Sequence, residues 1–349
     1  MKLKINLKTT FLVLVLIGVL LISSVGLAKQ TVIRVGYFPN ITHAQAVIGM
    51  ADGSFQKALG KNVKIEKYIF NAGPSVIEAM MSGNLDLAYI GPNPAVNGYI
   101  RTQGTLLKIV AGAASGGAAL VVRSDLKITG VKQLEGTKIA SPQIGNTQDV
   151  SLRFYLRENG LKLKQEGGNV EVIPISNPDQ LNLFRTKEIH AAWTVEPWVS
   201  RLVAEADGKI LIDERQLWPD GKFVTANIIV SQKFLAKNQN LVKRWLRAHV
   251  DLTVNINKDQ RKYQKILNQE LKKITGQALP DEIIEQAFSR FELTYDPLPN
   301  TLVLSADRAF ELGFLGKNKP DLTGIYDLTL LKEILKERKL PMISNPTQK

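Results

Sequence analysis

Two periodicities alternate along this chain. Thr31 to Tyr37 (TVIRVGY) alternates apolar and polar residues with the period of a strand, and 44–59 carries the three-to-four spacing of a helix. The alternation continues with strands over 62–70, 85–90 and 106–111 and helices over 75–81 and 93–101 between them. A second series predicts strands over 118–122, 138–140, 170–175 and 190–194, with helices over 147–159, 178–186 and 197–205. The stretch 223–230 reads as a strand that carries the chain back, and the sequence beyond it is mostly helical: 240–257, 260–275, 280–290, 301–312 and 328–338. Strands alternating with helices of this length indicate βαβ units and a mainly parallel sheet. The pattern predicts two similar α/β lobes, the first completed by C-terminal helices.

The segment ahead of the first strand has a different pattern. Lys2, Lys4 and Lys8 precede an apolar run from Phe11 to Ile22, and Gly26-Leu27-Ala28 places small residues where a signal peptidase reads. This predicts an export signal cleaved after Ala28. The alternative is an uncleaved anchor, but the apolar run is short for a membrane span. The expected organisation is a signal peptide over 1–28, the first part of lobe 1 over 29–121, lobe 2 over 122–225, and a return to lobe 1 with C-terminal helices over 226–349.

Composition narrows the chemistry. The 349 residues are 44% hydrophobic and 22% charged, enough for a packed core. There is no cysteine, which excludes disulfides, thiolate metal sites, a cysteine nucleophile and a lipidated cysteine anchor. The formal charge is +13. Cations and acids are interspersed along the chain, so a solvated basic surface is the expected reading rather than a nucleic-acid footprint.

Candidate chemistry gathers where strands run into helices. Asn71-Ala72-Gly73-Pro74, Gly91-Pro92-Asn93, Gly145-Asn146-Thr147, Asn177-Pro178 and Glu196-Pro197 all read as helix starts. Each would present free N–H groups and the positive end of a helix dipole. One alone is ordinary capping; several converging on a cleft make an anion site. GxSxG, GxxxxGK[ST] and GxGxxG are all missing, and His43, His190 and His249 are too dispersed for a local metal motif, so neither a metal nor a cofactor is expected. His190 and His249 fall in element patterns and read as structural. His43, in the loop Asn40-Ile41-Thr42-His43, has two readings: a hydrogen-bond donor to a ligand, or a loop or capping residue. Tyr37, Phe38 and Trp198 are candidates for the wall of a ligand cavity, whereas Trp193 reads as packing. Ala113 to Gly117 is Gly-rich without a helix behind it and reads as a crossover or a backbone contact surface.

Together these residues resemble a known family. The leader, Ile33 to Tyr37, Phe70 to Pro74 through Glu78-Ala79, Gly83-Asn84-Leu85-Asp86-Leu87 with Gly91, and Ala191-Ala192-Trp193 through Glu196-Pro197-Trp198 are similar to solute-binding proteins of ABC importers. The resemblance is to the aliphatic sulfonate, taurine and nitrate group. It implies a type II periplasmic-binding-protein-like fold: two α/β lobes joined by two hinge strands, closing on a ligand. It further implies a monomer that delivers a small oxyanion-bearing solute, an alkanesulfonate or taurine as first expectation, to a membrane permease driven by a cytoplasmic ATPase. By position the family's ligand loops correspond to Tyr37, Phe38, Asn40, Thr42 and His43; Asn71, Gly73 and Pro74; Gly91 and Asn93; Ser115 and Gly117; Asn146, Thr147 and Gln148; and Glu196 and Trp198. These loops contain no Lys or Arg, and Glu196 would repel an anion unless it faces away. Nitrate, bicarbonate or a pyrimidine precursor on the same fold, or a ligand-sensing role, are the alternatives. An enzyme reading, as in pyrimidine-precursor synthases, is opposed by the missing cysteine.

Overall fold

The computed structural model describes residues 30–343, so the expected leader and its cleavage site lie outside it. Two sheets carry the chain. The first has the order β11-β4-β10-β3-β1-β2 and the second β7-β6-β8-β5-β9. In the first, β1 (Thr31–Tyr37) pairs in parallel with β2 (Val63–Ile69) and β3 (Leu87–Ile90). The strand β10 (Val224–Ser231) lies antiparallel between β3 and β4 (Leu107–Gly116), and the short β11 (Phe291–Leu293) closes that edge. The second sheet repeats the plan. There β6 (Lys138–Ser141) is parallel to β7 (Glu171–Pro174) and β8 (Ala191–Val195). The strand β5 (Ala118–Arg123) runs antiparallel between β8 and β9 (Gly208–Asp213). In each lobe the antiparallel central strand is the one that arrives from the other lobe.

Three departures from the sequence pattern have physical causes. Each sheet is mixed rather than mainly parallel, because the crossing strands β5 and β10 enter reversed. The helix expected over 44–59 is two, α1 (Ala44–Ala51) and α2 (Ser54–Leu59), because Gly53 between them sits at φ +76, a conformation a helix interior cannot hold. The strands β9 and β11 were not anticipated: β9 is a half-buried edge strand and β11 has only three residues, so neither carries a strong alternation. The strand pairings put the first crossing between β4 and β5, at Gly116-Gly117, ahead of the expected 121/122 boundary. Both glycines have left-handed backbones, and a Cβ on Gly117 would lie 2.9 Å from Phe291. The return crossing ends at Phe223, whose carbonyl accepts from Gly116 N–H at 3.1 Å. The crossings therefore lie side by side and bonded together.

Helices cover both faces of each sheet. In lobe 1, α1, α2 and the long α8 (Gln232–Lys258) pack on one face, with Trp245 stacked on Phe55 at 3.8 Å. Such an aromatic pair adds about 0.5–1.5 kcal/mol beyond its burial. The other face is covered by α3 (Gly73–Met81), α4 (Pro92–Arg101) and α11 (Pro299–Glu311). Lobe 2 is smaller, with α5 (Thr147–Glu158) on one face of its sheet and α6 (Asn177–Arg185) and α7 (Trp198–Glu205) on the other. His190 accepts from Lys138 N–H through Nδ1, and His249 bridges the Tyr89 hydroxyl and the Gly112 carbonyl, so both are tied into the framework.

Candidate functional site

The carboxyl ends of β1 and β3 face those of β6 and β8, and helices start at each of them. The N-termini of α4, at Gly91, and α5, at Thr147, meet head to head across the cleft: a Cβ built on Gly91 would lie 2.3 Å from Thr147 Oγ1. The start of α3 approaches as well, with Gly73 N–H 3.5 Å from Asn146 Oδ1. None of α3, α4, α5 or α6 has a side-chain cap. Ser231 and Asp259 cap α8 and α9 (Gln260–Thr275), while α1, α2 and α11 are uncapped as well, so it is the convergence of the four ends and not the missing caps that marks the cleft. The first-turn N–H groups of these four helices that no proline removes and Asn146 does not take up are left to whatever the cleft holds.

Between these ends lies a small inner chamber of about 20 Å³. Lobe 1 lines it with Phe38, Asn40, Thr42, His43, Asn71, Gly91 and Thr225, and lobe 2 with Asn146, Thr147, Gln148, Asn177 and Val195. An outer chamber of about 380 Å³ shares Asn40, Asn71 and Asn177 with it. The outer walls combine apolar groups (Ile69, Phe70, Leu181, Trp198 and Ile274) with Asn182, Thr275 and Gln277, and with Arg201. Arg201 is paired with Glu205 at 2.8 Å and lies over the Trp198 ring. Among the described residues, no Lys, Arg, Asp or Glu lines the inner chamber.

The polar groups of the inner chamber divide into two kinds. His43 is fixed: Nδ1 accepts from Phe38 N–H at 3.2 Å and the ring stacks on Phe38 at 4.5 Å. A nitrogen that accepts from an amide carries no proton, so the neutral ring bears its hydrogen on Nε2 and is a donor there. Burial holds the ring neutral by lowering its pKa to about 3. Asn146 donates to Gln148 at 2.9 Å, and Asn40 accepts from Trp198 Nε1 of the other lobe at 3.1 Å. Thr147 Oγ1, in contrast, is buried without any hydrogen-bond partner. A buried hydroxyl in that state is costly unless a ligand completes it.

The expected residues are therefore divided by the structure. Phe38, Asn40, Thr42, His43, Asn71, Gly91, Asn146, Thr147 and Gln148 line the inner chamber and Trp198 the outer one. Gly73 touches the cleft through its amide, and Pro74 follows it at the first turn of α3. Others lie elsewhere. Tyr37 faces the core of lobe 1, because its strand position alternates away from that of Phe38. Asn93 is tied to Ser305 of α11 through both amide atoms, and Ser115 accepts from Phe223 N–H at the crossing. Gly117 belongs to the hinge, where its carbonyl accepts from Glu196 N–H and its amide donates to Arg290. Glu196 faces away from the ligand chambers. It binds Ser200 and pairs with Arg290 at 3.0 Å, and burial raises its pKa to about 7 despite that partner. Asn177 reads as a helix start, the pattern that marks the others, and Val195 lies within the Thr194–Trp198 ligand loop, but neither is named as a ligand residue from the sequence. Thr225 and Arg201 were not singled out. Thr225 lies inside a strand and left no local signal.

Comparison with known proteins decides the family. The family model described as NMT1-like matches residues 26–268. The chain belongs to the NMT1-like family. Within it, the chain is 28% identical over 206 residues to the taurine-binding periplasmic protein of Escherichia coli, an alignment covering 59% of this chain and 61% of that protein. It therefore spans less than two thirds of that relative's length. Its fold matches the alkanesulfonate-binding protein SsuA of Xanthomonas axonopodis pv. citri, solved bound to MOPS, with a TM-score of 0.69 at 20% identity over 83% of this chain and 96% of that one. It also matches the periplasmic nitrate-binding protein NrtA of Synechocystis PCC 6803, with a TM-score of 0.73 at 16% identity over 90% of both chains. The architecture is the two-lobe fold of periplasmic binding proteins.

Proposed function

We propose that this NMT1-like protein is the exported solute-binding component of an ABC importer and holds a small monoanionic oxyanion, an aliphatic sulfonate, between its lobes. The observation that carries the proposal is the meeting of uncapped helix N-termini from both lobes around Thr147 Oγ1, a buried hydroxyl without a partner. Helix ends and neutral donors suit one negative charge. A dianion such as a phosphonate would need cations that the inner chamber lacks. The head group sits in the inner chamber, where Thr147, the Nε2–H of His43 and the amides of Asn146 and Gln148 are available. The organic tail extends into the outer chamber against Phe70, Leu181 and Trp198. These apolar walls favour an uncharged tail over the ammonium of taurine, whose charge they would desolvate without a partner. Binding is non-covalent, and closure of the lobes is the state the permease and its ATPase would read.

Nitrate is the second reading, favoured by the small size of the inner chamber and set against the outer chamber, which a tailless ion leaves unused. Titration calorimetry on residues 29–349 with methane-, ethane- and butanesulfonate, taurine, nitrate, bicarbonate and methylphosphonate separates the two. Affinity that rises with alkyl length supports the sulfonate reading. Tight nitrate binding with no sulfonate heat replaces it, and silence across all these anions overturns the oxyanion site. In a parallel thermal scan, a ligand at one hundred times its Kd adds about 2.7 kcal/mol to stability.

A further inference from the structure

A second contact between the lobes lies outside both chambers. Arg308, on α11 of lobe 1, reaches across to lobe 2 and to the returning segment that joins the lobes. Its guanidinium carbon lies 3.9 Å from the ring centre of Trp218 and 5.0 Å from that of Phe154. Phe154 belongs to α5, the helix whose first turn carries Thr147 and Gln148. The stack continues on both sides: Arg157 lies over Phe154 at 5.2 Å, and Trp218 stacks on Phe223 at 5.2 Å. Arg308 also donates to the Leu217 carbonyl at 3.1 Å, while Arg157 donates to the carbonyl of Glu311, one turn further along α11.

Beneath Trp218 lies a fully buried carboxylate. Glu214 accepts from Ser151 Oγ and Trp193 Nε1, both at 2.7 Å, and from Trp218 Nε1 at 3.3 Å. All three donors are neutral, and Arg308 is the cation whose charge acts on it. Arg308 Nε is itself buried without a hydrogen-bond partner. A carboxylate on the lobe 2 side and a desolvated guanidinium from lobe 1 thus offset each other beside the Trp218 ring, and the contact of Arg308 with Phe154 joins the lobes directly.

We infer that Arg308 is a positioning residue: it holds α5 against lobe 1 and so keeps Thr147 at the ligand chamber without touching the ligand. This rests on the two-lobe closing part of the proposed function and on no particular ligand. The chain has no cysteine, so the exposed Lys57 and Lys127 can be replaced by Cys and spin-labelled as one reporter on each lobe.

The unliganded protein should show a population at the short distance of the closed arrangement. R308A should deplete that population. F154L, which removes only the aromatic face contributed by lobe 2, should do the same and covers the case in which R308A does not fold. R308K keeps the charge but not the planar stack, and should fall between R308A and the parent. With a ligand identified by calorimetry, both R308A and F154L should weaken binding about tenfold, mainly through faster dissociation. The inference is overturned if the parent shows no short-distance population, or if folded R308A and F154L keep the parent's distribution. The distance measurement needs no ligand, so it stands or falls separately from the sulfonate reading.

Discussion

The two lobes share one strand plan but bring different things to the cleft. Between Gly117 and Phe223, acids and bases are equal in number, so lobe 2 is neutral and the whole +13 charge lies outside it. Lobe 1 is also thicker, because the chain returns to it with α8, α9 and α11. At the cleft the contrast is sharper. Lobe 1 offers a seat already built: His43 is stacked, bonded and held in one tautomer before any ligand arrives. The polar groups that lobe 2 contributes bond to each other or across the cleft, as Asn146 does to Gln148 and Gly73, and its Thr147 has no partner. A preformed seat and an unsatisfied cap divide the work: one fixes orientation, and the other makes closure worth more with ligand than without.

The most severe way to break this division is to stop the cap from seating. Gly91 has φ −70, which alanine accepts, so G91A should leave lobe 1 folded. Its Cβ would meet Thr147 Oγ1 at 2.3 Å, far inside contact distance. Affinity should fall by about a hundredfold, the scale of an overpacked contact, with the unliganded melting temperature nearly unchanged. Adding T147A should restore the closed interlobe distance without restoring affinity, since the hydroxyl is then gone. Equal affinity in G91A and the parent would show that the lobes do not close in this register.

Next in size is the hydroxyl itself. T147V keeps the shape and deletes the unpartnered group. Ligand affinity should fall about tenfold or more, the loss of a hydrogen bond to a charged group, while the unliganded protein becomes slightly more stable. The opposite signs are the signature, because a purely structural threonine would lose both together. W198F, which keeps an aromatic but smaller ring and removes the donor to Asn40, should weaken binding only about fivefold, read by the same calorimetry.

Much of this was legible from the residues alone. The helix starts at Asn71, Gly91 and Asn146 carry Pro, Gly and Asn for backbone reasons, and the same chemistry leaves N–H groups facing the cleft. Pairing across the fold was not legible. Glu196 reads as a charge in a ligand loop because its partner, Arg290, is distant in sequence and lies beyond the return crossing. Tyr37 and Phe38 are adjacent aromatics, and only the strand register decides that one faces the core and the other the chamber. Thr225 reaches the site because β10 enters its sheet reversed, which no local pattern announces.

The smallest contrast is in how the two lobes respond to acid, and its two parts have opposite sign. His43 of lobe 1 ordinarily titrates at 6.5 and in the folded protein at about 3. Between those values the unfolded chain binds a proton that the folded chain refuses. Stability from His43 is therefore complete above 6.5 and is lost as the pH falls toward 3. His249 adds to the same trend, with its pKa lowered to about 4 by burial. Glu196 of lobe 2 goes the other way. Its pKa is raised from 4.5 to about 7, so its contribution is complete below 4.5 and is lost as the pH rises through 7. The buried Glu214, whose pKa burial also raises, joins Glu196, so from 6.5 down to 4.5 two histidines and two carboxylates oppose each other and the parent's stability should change little. H43Q should remove part of the acid loss and flatten or reverse the slope. E196Q should remove the compensating gain, so that stability falls more steeply on acidification than in the parent. Urea midpoints of the three proteins at pH 7, 6 and 5 test this. If both variants follow the parent's slope, neither buried group is linked to folding in this range, and the preformed state of His43 has some other origin.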